Sequence, residues 1–401
     1  MTTTTQTLLD TLATYPATED AASKTLPPAA YTDPGLYELE VETIFKHEWL
    51  LIGRANDIPE PGDWFTFLVI DDPLLVVRGA DHEIRAFSNV CRHRYMPVAQ
   101  GARGNDRRFV CPYHHWTYAT DGKLIAAPLM EGSLAFDKSK CALPMYRLEI
   151  WQGFIFVNLD DNAAPLTPQL FEADKMLAHY SNSELVTGFS YDTVWEGNWK
   201  LATENGMEFY HHMGLHAATL EEALPAKGAS VDPAPASGRF AHTRCPFSSK
   251  SSYKDGEMAR ALPEDHEFTE LEINTAYAIG LFPNISLAMT ADSNNWLSFI
   301  PLGPERTRVV GGYIVRPGYD STNPEAAKRR NQLLYDVNEE DAQATWRLQK
   351  VLRSTRARPG PLNVREGTCA QFYKYLGRTL APRPAADAHA ASLGVEANES
   401  Q

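Results

Sequence analysis

The sequence predicts an α+β protein made of two successive domains, each containing an antiparallel sheet. Short apolar runs bounded by turn residues fill positions 45–160. Mixed strand and helix patterns fill positions 161–380 and end in a long amphipathic helical stretch. A chain of 401 residues is long enough for two or three domains with their own cores.

The N-terminal segment, residues 1–30, is rich in Thr and Ala and contains a Pro-Pro pair near its end. We expect it to be a poorly ordered arm with one short helix. Helical periodicity then runs from Leu36 to Phe45. We expect residues 31–44 to pack on the second domain.

The first domain is predicted over residues 45–160. Apolar runs rich in β-branched and aromatic residues predict its strands, and Gly, Pro and Asp between them supply the turns. The runs are "WLLIGR", "FTFLVI", "LLVVRG", "IRAFSNV" and "GFIFVNLD".

The second domain is predicted over residues 161–380. "LTPQLFEADKMLAHY" predicts a helix capped by Thr167, "FSYDTVWEGNWK" a strand, and "LATENGMEFYHHMG" a helix that ends at Gly214. Two or three strands are expected next, followed by the long helical stretch with a break near Asn338. The Ala-rich tail, residues 381–401, is predicted to be disordered.

Composition and net charge limit the kinds of partner that we expect for this protein. No apolar run reaches the roughly 18 residues of a membrane span, and the N-terminus lacks the pattern of a secretory signal. We therefore expect a cytoplasmic protein with no membrane partner. The net charge of −14 argues against nucleic acid. It is compatible with a cationic substrate, a basic protein partner or simply a solvated acidic surface.

The stretch "VCRHRYMPVAQGARGNDRRFVCPYHHWTY" contains two of the five cysteines, each followed closely by a histidine. Cys91 pairs with His93, and Cys111 with His114, so two tight loops can hold one metal centre. Two thiolates and two imidazoles suit a tetrahedral zinc or a [2Fe-2S] cluster. The mixed pairs favour the cluster, because two-Cys two-His zinc fingers usually pair Cys with Cys. A structural zinc site is the alternative.

The flanking residues, "CRHR" and "CPYHHWTYATDGK", resemble the Rieske signature. The resemblance implies two cysteines on one iron and two histidines on the other, with His115 a bystander at the rim. Such a cluster transfers single electrons and performs no bond chemistry alone. Another part of the chain must therefore use those electrons.

The second dense stretch is "NWKLATENGMEFYHHMGLH", residues 198–216. Two histidines and a carboxylate form the facial triad of a non-haem Fe(II) oxygenase, which leaves positions open for O2. Helical spacing alone slightly favours His212 with His216. His211 with His216 requires the helix to unwind near Gly214. A histidine cluster without metal is the alternative.

Together the two stretches resemble the oxygenase α subunit of Rieske non-haem iron oxygenases, over residues 31–380. The family pattern implies that His211 and His216 bind the iron and that His212 is a bystander. It implies that Glu208 links an iron histidine to a Rieske histidine of the neighbouring subunit, in a homotrimer. It also places Asn205 beside the iron without tight ligation, so Glu208 and Asn205 are the implied catalytic residues.

The resemblance also implies a third iron ligand, a carboxylate from the C-terminal helix. "NEEDAQATWRLQ" matches the family's segment, and Asp341 is the predicted ligand. Glu339 and Glu340 are its rivals. As acids on a predicted helix, these two also fit a solvated surface.

The resemblance further implies that the Rieske domain adjoins a helix-grip catalytic domain of the START/Bet v1 type. Electrons from NADH or NADPH would arrive through a separate reductase, with or without a ferredoxin. The chain itself lacks a dinucleotide-binding glycine motif followed by a helix. O2 is the implied co-substrate.

The substrate class is the least constrained expectation. Glu208 stands where aromatic-ring dioxygenases usually carry Asp, and it resembles the subgroup that acts on carnitine, glycine betaine and related N-methyl compounds. We expect hydroxylation of an N-alkyl carbon that leads to oxidative N-dealkylation. The alternatives are hydroxylation or dihydroxylation of an aromatic ring or its substituent, and a pure electron-transfer Rieske protein whose histidine stretch holds no metal.

Overall fold

The computed structural model describes residues 2–248, 268–291 and 293–381. These residues form two seven-stranded sheets, one three-stranded sheet and surrounding helices, which confirms the predicted α+β class. The helices are α1 (Thr3–Leu12), α2 (Pro34–Glu40), α3 (Leu166–Gln169), α4 (Phe171–Leu177), α5 (Trp199–Asn205), α6 (Glu270–Ile273), α7 (Tyr319–Thr322), α8 (Pro324–Val351) and α9 (Gly367–Leu380).

The first part of the chain forms a seven-stranded antiparallel sheet and the small three-stranded sheet. Its strands are β1 (Leu50–Arg54), β2 (Asp63–Val69), β3 (Asp72–Arg78), β4 (Ile84–Ser88), β5 (Arg103–Asn105), β6 (Arg108–Val110), β7 (Thr117–Ala119), β8 (Leu124–Ala126), β9 (Met145–Trp151) and β10 (Phe154–Asn158). The large sheet has the order β1-β10-β9-β4-β3-β2-β5, and the small one β6-β7-β8. The five predicted runs are confirmed as β1, β2, β3, β4 and β10.

The second part forms one long antiparallel sheet in the order β11-β17-β16-β15-β14-β13-β12. Its strands are β11 (Val186–Trp195), β12 (Ser230–Val231), β13 (Phe240–Pro246), β14 (Thr275–Leu281), β15 (Ile285–Met289), β16 (Asn294–Gly303) and β17 (Arg306–Val315). The strands expected ahead of the long helix are confirmed as β15, β16 and β17. Helices α5, α8 and α9 contact one another or this sheet, and they position the second histidine stretch.

The short helix expected in the N-terminal segment is confirmed as α1, but the helix is packed against the rest of the protein. Helix α1 buries Leu8, Leu9 and Leu12, and its partner is α9. The prediction of a poorly ordered arm is wrong because α1 has an apolar face that a distant helix covers. The predicted helix from Leu36 to Phe45 is confirmed, since α2 continues into one wider helical turn, Val41–Phe45.

Three local predictions about helix ends are wrong. Thr167 lies inside α3, whose N-cap is Pro165. Helix α8 runs unbroken through Asn338, whose side-chain amide donates to a backbone carbonyl of the same helix. The helix expected to reach Gly214 ends at Asn205, and a separate 3-10 turn, Tyr210–Met213, carries two of the histidines.

The chain leaves α5 where Gly206 passes close to β15. A Cβ added to Gly206 would lie 2.9 Å from the Cβ of Ser286. The predicted tail, residues 381–401, lies outside the described residues except for Ala381. In the described parts of the chain, no helix combines the length and apolarity that a bilayer crossing requires.

Candidate metal centres

Two loops of the first domain carry the Cys/His pairs, and both are closed by the same hydrogen bonds. In each, the cysteine N–H donates to the carbonyl oxygen five residues later, at 2.8 Å. The N–H four residues after the cysteine donates back to the cysteine carbonyl, at 3.1 Å in the first loop and 2.9 Å in the second. These bonds are Cys91–Met96, Tyr95–Cys91, Cys111–Trp116 and His115–Cys111. The two loops therefore present their side chains in equivalent frames.

The four predicted cluster residues lie together at these loop tips. The cysteines are buried, whereas His93 and His114 are only partly buried. The two imidazole ring centres are 4.5 Å apart. Nδ1 of His114 is buried and has no hydrogen-bond partner in the described residues, as expected of an atom that binds a metal. The donor set fits a cluster with thiolates on its inner side and imidazoles on its outer side.

Aromatic residues fix the positions of these donors. The Tyr118 hydroxyl accepts a hydrogen bond from the Arg92 N–H at 3.0 Å and lies 3.4 Å from the Cys91 sulfur, to which it can donate. The Trp116 ring stacks on His93, with centres 4.9 Å apart. Burial raises the pKa of the Cys111 thiol, so a metal is needed to hold it as a thiolate near neutral pH.

Three histidines of the second stretch converge on one point. One ring nitrogen from each of His211, His212 and His216 lies within 4.8 Å of the others. The 3-10 turn carries the first two, and the turns that follow bring back the third. Because the segment is not an α-helix, the spacing argument for His212 with His216 does not apply. All three imidazoles reach the same place.

Each ring is held through its Nδ1 atom, which leaves Nε2 as the atom available to a metal. His211 Nδ1 is 2.5 Å from a Glu208 carboxylate oxygen. His212 Nδ1 is 3.1 Å from the Leu224 carbonyl oxygen. His216 Nδ1 is 2.6 Å from a Glu340 carboxylate oxygen. Such partners fix the tautomer and the orientation of metal-binding histidines.

Asp341 completes the group from helix α8. One of its oxygens lies 3.0 Å from His216 Nε2 and 3.8 Å from His211 Nε2. The side-chain amide of Asn205 donates to the same oxygen at 2.9 Å, so Asn205 holds the carboxylate in place. Two imidazoles and one carboxylate around one point are the donor set of a non-haem Fe(II) site with open positions.

The rivals of Asp341 have other partners. The Tyr191 hydroxyl donates to Glu339 at 3.3 Å. Glu340 is neither a solvated surface acid nor placed as a ligand, because its carboxylate lies behind the His216 ring and also accepts from Thr219 at 2.8 Å. The sequence did offer one indication of this contact with His216. Glu340 directly precedes Asp341 on the helix, and adjacent helical residues can approach one ring from two sides.

The charges around the histidines differ. Burial lowers the pKa of His212 to about 3, so this ring is neutral. Burial also acts to lower the pKa of His216, but hydrogen bonds and charges from Asp341 and Glu340 outweigh it and raise the pKa. A divalent cation at Nε2 would replace the proton that His216 and Asp341 share.

Glu208 is anchored within its own chain. Its second oxygen accepts from the backbone N–H of Tyr210 and, at 3.2 Å, from that of His211. The side chain is largely buried. Each carboxylate oxygen has two lone pairs, so Glu208 retains the capacity to accept a hydrogen bond from another subunit.

Comparison with protein families matches both halves of the chain. Residues 48–146 match the Rieske [2Fe-2S] domain, and residues 182–381 match the ring hydroxylating alpha subunit (catalytic domain). The region that matches the first family contains the Cys/His loops, and the region that matches the second contains the three histidines and Asp341.

Curated relatives cover almost the whole chain. The glycine betaine monooxygenase oxygenase subunit of Chromohalobacter salexigens is 30% identical over 404 residues, which cover 92% of this chain and 88% of that protein. The biphenyl 2,3-dioxygenase subunit alpha of Rhodococcus jostii is 30% identical over 402 residues, which cover 91% and 84%. Similarity thus extends to subunits of both a glycine betaine monooxygenase and a biphenyl dioxygenase.

Among solved structures, a quaternary ammonium Rieske monooxygenase, described in connection with carnitine oxidation and inter-subunit electron transfer, superimposes with a TM-score of 0.79. The match covers 92% of this chain and 98% of that one at 21% identity. At this identity the likeness establishes the shared fold.

Proposed function

The chain belongs to the Rieske non-haem iron oxygenases, as an oxygenase α subunit, and from this membership we propose that it hydroxylates an N-alkyl carbon and so brings about oxidative N-dealkylation. It is the terminal oxygenase of a Rieske oxygenase. Its cofactors are a Rieske [2Fe-2S] cluster and a mononuclear iron. The match of residues 48–146 to the Rieske [2Fe-2S] domain favours the cluster over the zinc alternative.

The observation that carries the substrate proposal is the similarity to a glycine betaine monooxygenase across 92% of this chain. Glu208 supports it, because a glutamate at this position resembles the N-methyl-oxidising subgroup. A hydroxyl group added to a carbon bonded to nitrogen makes an unstable adduct. The C–N bond breaks, the carbon leaves as an aldehyde, and the amine loses one alkyl group.

We propose the following ligands and positioning residues. Cys91, His93, Cys111 and His114 hold the cluster, while His211, His216 and Asp341 hold the iron. Asn205 positions Asp341, Glu208 orients His211, and Glu340 orients His216. When bound, the iron supplies the site at which O2 is reduced and the substrate carbon is oxidised.

Electron delivery is proposed to run between subunits of a homotrimer. His93 and His114 are partly exposed whereas Cys91 and Cys111 are buried, so these two imidazoles would be the side of a bound cluster that faces a neighbouring subunit. Glu208 of a neighbouring subunit accepts a hydrogen bond from one of these rings and contacts His211 on its other side. A separate reductase, with or without a ferredoxin, supplies the electrons from NADH or NADPH.

A product assay tests the substrate class. Purified, iron-loaded protein with a surrogate reductase and NADH is offered N-methyl amines, N-alkyl amides and simple aromatic acids. We expect an aldehyde in amounts that match the O2 consumed. Hydroxylated ring products without aldehyde would replace this proposal with the second candidate, aromatic hydroxylation, which the similarity to the biphenyl dioxygenase subunit favours.

Substitution of Glu208 tests the electron route. Glu208→Gln keeps the side-chain shape but loses the charge that binds the imidazole N–H groups. We expect an intact cluster, normal iron content and little turnover, whereas the matched variant Glu339→Gln retains turnover. Near-normal coupled turnover of Glu208→Gln would show that the route does not use Glu208. Iron analysis tests the remaining alternative, a pure electron-transfer Rieske protein whose histidine stretch holds no metal. More iron per chain than the two atoms of the cluster excludes it.

A further inference from the structure

We propose that Asn295 and Asn338 bind the polar group of the substrate beside the iron site, and that this group is the amide of a neutral N-alkyl amide. The inference rests on the proposed function and narrows its substrate class. One asparagine comes from the sheet and the other from α8. Both have hydrogen-bonding capacity that the described chain leaves unused.

Two groups of apolar side chains hold α8 against the long sheet. Leu297 of β16 and Ala342 of α8 pack against the first group. Leu334 of α8 packs against the second. Phe189 packs against both, so the groups are neighbours. The first group consists of Tyr191, Trp195, Ala202, Phe299 and Val309, and the second of Tyr313, Val315 and Tyr319.

Asn338 lies on α8 between these groups, one helical turn from Leu334 and one from Ala342. It is 7% exposed, and its Nδ2 donates to the Leu334 carbonyl oxygen at 2.8 Å. This bond sets the orientation of the amide, and Oδ1 has no partner among the described residues. The proposed iron ligand Asp341 follows three residues later. Asn338 therefore offers a hydrogen-bond acceptor close to the iron site.

Asn295 lies on β16 in the same interval. It is two residues before Leu297, so both point to the face of the sheet that α8 covers. It is also directly opposite Tyr313, a member of the second group. Its Oδ1 is buried without a hydrogen-bond partner, and no described residue accepts from its Nδ2. An unsatisfied buried polar group in a native fold needs an explanation, and a ligand in this interval provides one.

Small side chains beyond Asn295 leave room for that ligand. Across the sheet, Asn295 is paired with Ala288, and Ala288 with Ala278. Phe209, from the segment that carries the iron histidines, belongs to the same apolar cluster as Ala278. The space above these alanines therefore lies between α8 and the iron-binding segment. Asn295 is only partly buried, as expected of a residue that borders a space between two layers.

Two neutral amides fit a neutral amide better than a charged group. A substrate carbonyl can accept from Asn295 Nδ2, and a substrate N–H can donate to Asn338 Oδ1. The carboxylate of a betaine would instead need a cation to replace its hydration. Arg330, the buried basic residue of α8, is about 12 Å along the helix from Asn338. Its guanidinium lies over the rings of Tyr313 and Tyr319.

Binding calorimetry on the oxidised holoenzyme tests the two contacts without turnover, because no reductase is present. The probe is N-methylbenzamide, which has one carbonyl and one N–H group. We expect Asn295→Leu and Asn338→Leu each to weaken its binding about 5-fold, the effect of losing one ordinary hydrogen bond. Gln343→Leu, which removes an exposed amide from the same helix, should leave binding unchanged.

A second probe separates the two contacts. N,N-dimethylbenzamide keeps the carbonyl but lacks the N–H. Its binding should be weakened by Asn295→Leu and unaffected by Asn338→Leu, a pattern that a general distortion of the pocket would not produce. Equal effects of Asn338→Leu on both amides, or no effect of either variant on N-methylbenzamide, would overturn the assignment.

The unaltered protein alone tests the substrate class. N-methylbenzamide should bind at least about 10-fold more tightly than glycine betaine, whose carboxylate lacks a partner in this interval. Equal or tighter binding of glycine betaine, or no binding of the amide, would overturn the inference without any variant.

The failure of this inference is distinguishable from failure of the proposed function. Aldehyde release from N-methyl compounds, with binding that does not depend on the two asparagines, would keep the function and reject the inference. Amide binding that depends on them, with ring hydroxylation as the reaction, would do the reverse.

Discussion

At the scale of single residues, the mononuclear site is organised by carboxylates behind its histidines. Glu208 holds His211, and Glu340 holds His216, each through Nδ1. A carboxylate on the far nitrogen fixes the ring and makes Nε2 a better donor. The two acids come from different parts of the chain, so the site exists only when the 3-10 turn and α8 are packed together.

The role of Glu340 predicts a loss of metal affinity. Glu340→Ala removes the partner of His216 and should weaken metal binding at this site by about 10- to 100-fold. The measurement is the rate at which a chelator removes the mononuclear metal while the cluster spectrum stays constant. Glu339→Ala, the same change one residue earlier, should leave that rate unchanged. Equal rates for both variants would show that Glu340 does not position His216.

The raised pKa of Glu204 affects how the stability of the protein depends on pH. Glu204 is partly buried, and the loss of solvation raises the pKa of its carboxyl to about 8, while the Tyr31 hydroxyl donates to it at 2.9 Å. The folded state therefore keeps a proton that the unfolded chain releases near 4.5. Between these values the folded state binds more protons, so this group makes stability fall as pH rises.

We therefore predict that Glu204→Gln flattens the pH dependence of stability. The contribution of Glu204 is full below pH 4.5 and is lost as pH rises to about 8. Its slope is at most about 1.4 kcal/mol per pH unit. Thermal unfolding at pH 5 and pH 8 should show the variant gaining on the unaltered protein at the higher pH. A constant difference would mean that Glu204 titrates normally.

At the scale of elements, α1 and α9 approach each other at a glycine. A Cβ added to Gly377 would lie 2.4 Å from the carbonyl oxygen of Leu12, the last residue of α1. No side chain fits without moving one helix. This close approach explains how the N-terminal segment, which looked unstructured in the sequence, is held on the second domain.

Gly377→Ala should therefore destabilise the protein even though it improves helix propensity. Alanine in a helix gains about 1 kcal/mol over glycine, whereas overpacking costs about 1–3 kcal/mol. We expect a lower unfolding temperature and faster proteolysis near α1. Gly303→Ala, where an added Cβ meets nothing within 4 Å, is the control. A stabilised Gly377→Ala variant would show that α1 is loosely attached.

Features that depend on neighbouring residues could be predicted from the sequence, whereas features that depend on contacts between distant parts of the chain could not. Strands β1, β2, β3, β4 and β10 could be predicted because their apolar runs are local. The end of α5 could not, since it depends on a close approach to Ser286 on a distant strand. The spacing of Cys91, His93, Cys111 and His114 indicated the cluster directly. The partners of His216 depended on tertiary packing against α8.

At the scale of the whole molecule, the cluster side of the first domain exposes apolar residues. Tyr95 and Tyr113, on the two cluster loops, are 85% and 48% exposed, and the nearby chain exposes Leu129 and Leu134 almost fully. Exposed apolar groups of this kind mark interaction surfaces. Their presence on and after the loops that carry His93 and His114 fits contact with another subunit.

The proposed electron transfer between subunits predicts complementation. With the proposed ligands, His93→Ala should lack a complete cluster and His216→Ala a complete iron site, so each should be inactive alone. Oligomers assembled from both should regain activity, because an intact cluster of one chain can serve an intact iron site of the next. Tagging the two chains differently isolates mixed oligomers for the assay. Mixed oligomers that stay inactive, although one chain keeps its cluster and the other its mononuclear iron, would show that electrons do not pass between chains.

The matching hydrogen bonds of the two cluster loops have a kinetic meaning. An electron moves quickly only if the donor atoms scarcely shift when the charge on the iron changes, that is, if the reorganisation energy is small. Cys91 and Cys111 each sit in a backbone ring closed from both sides, and Trp116 lies flat against His93. We therefore expect the atoms around a bound cluster to move little when its charge changes, because these contacts already hold the two loops in place.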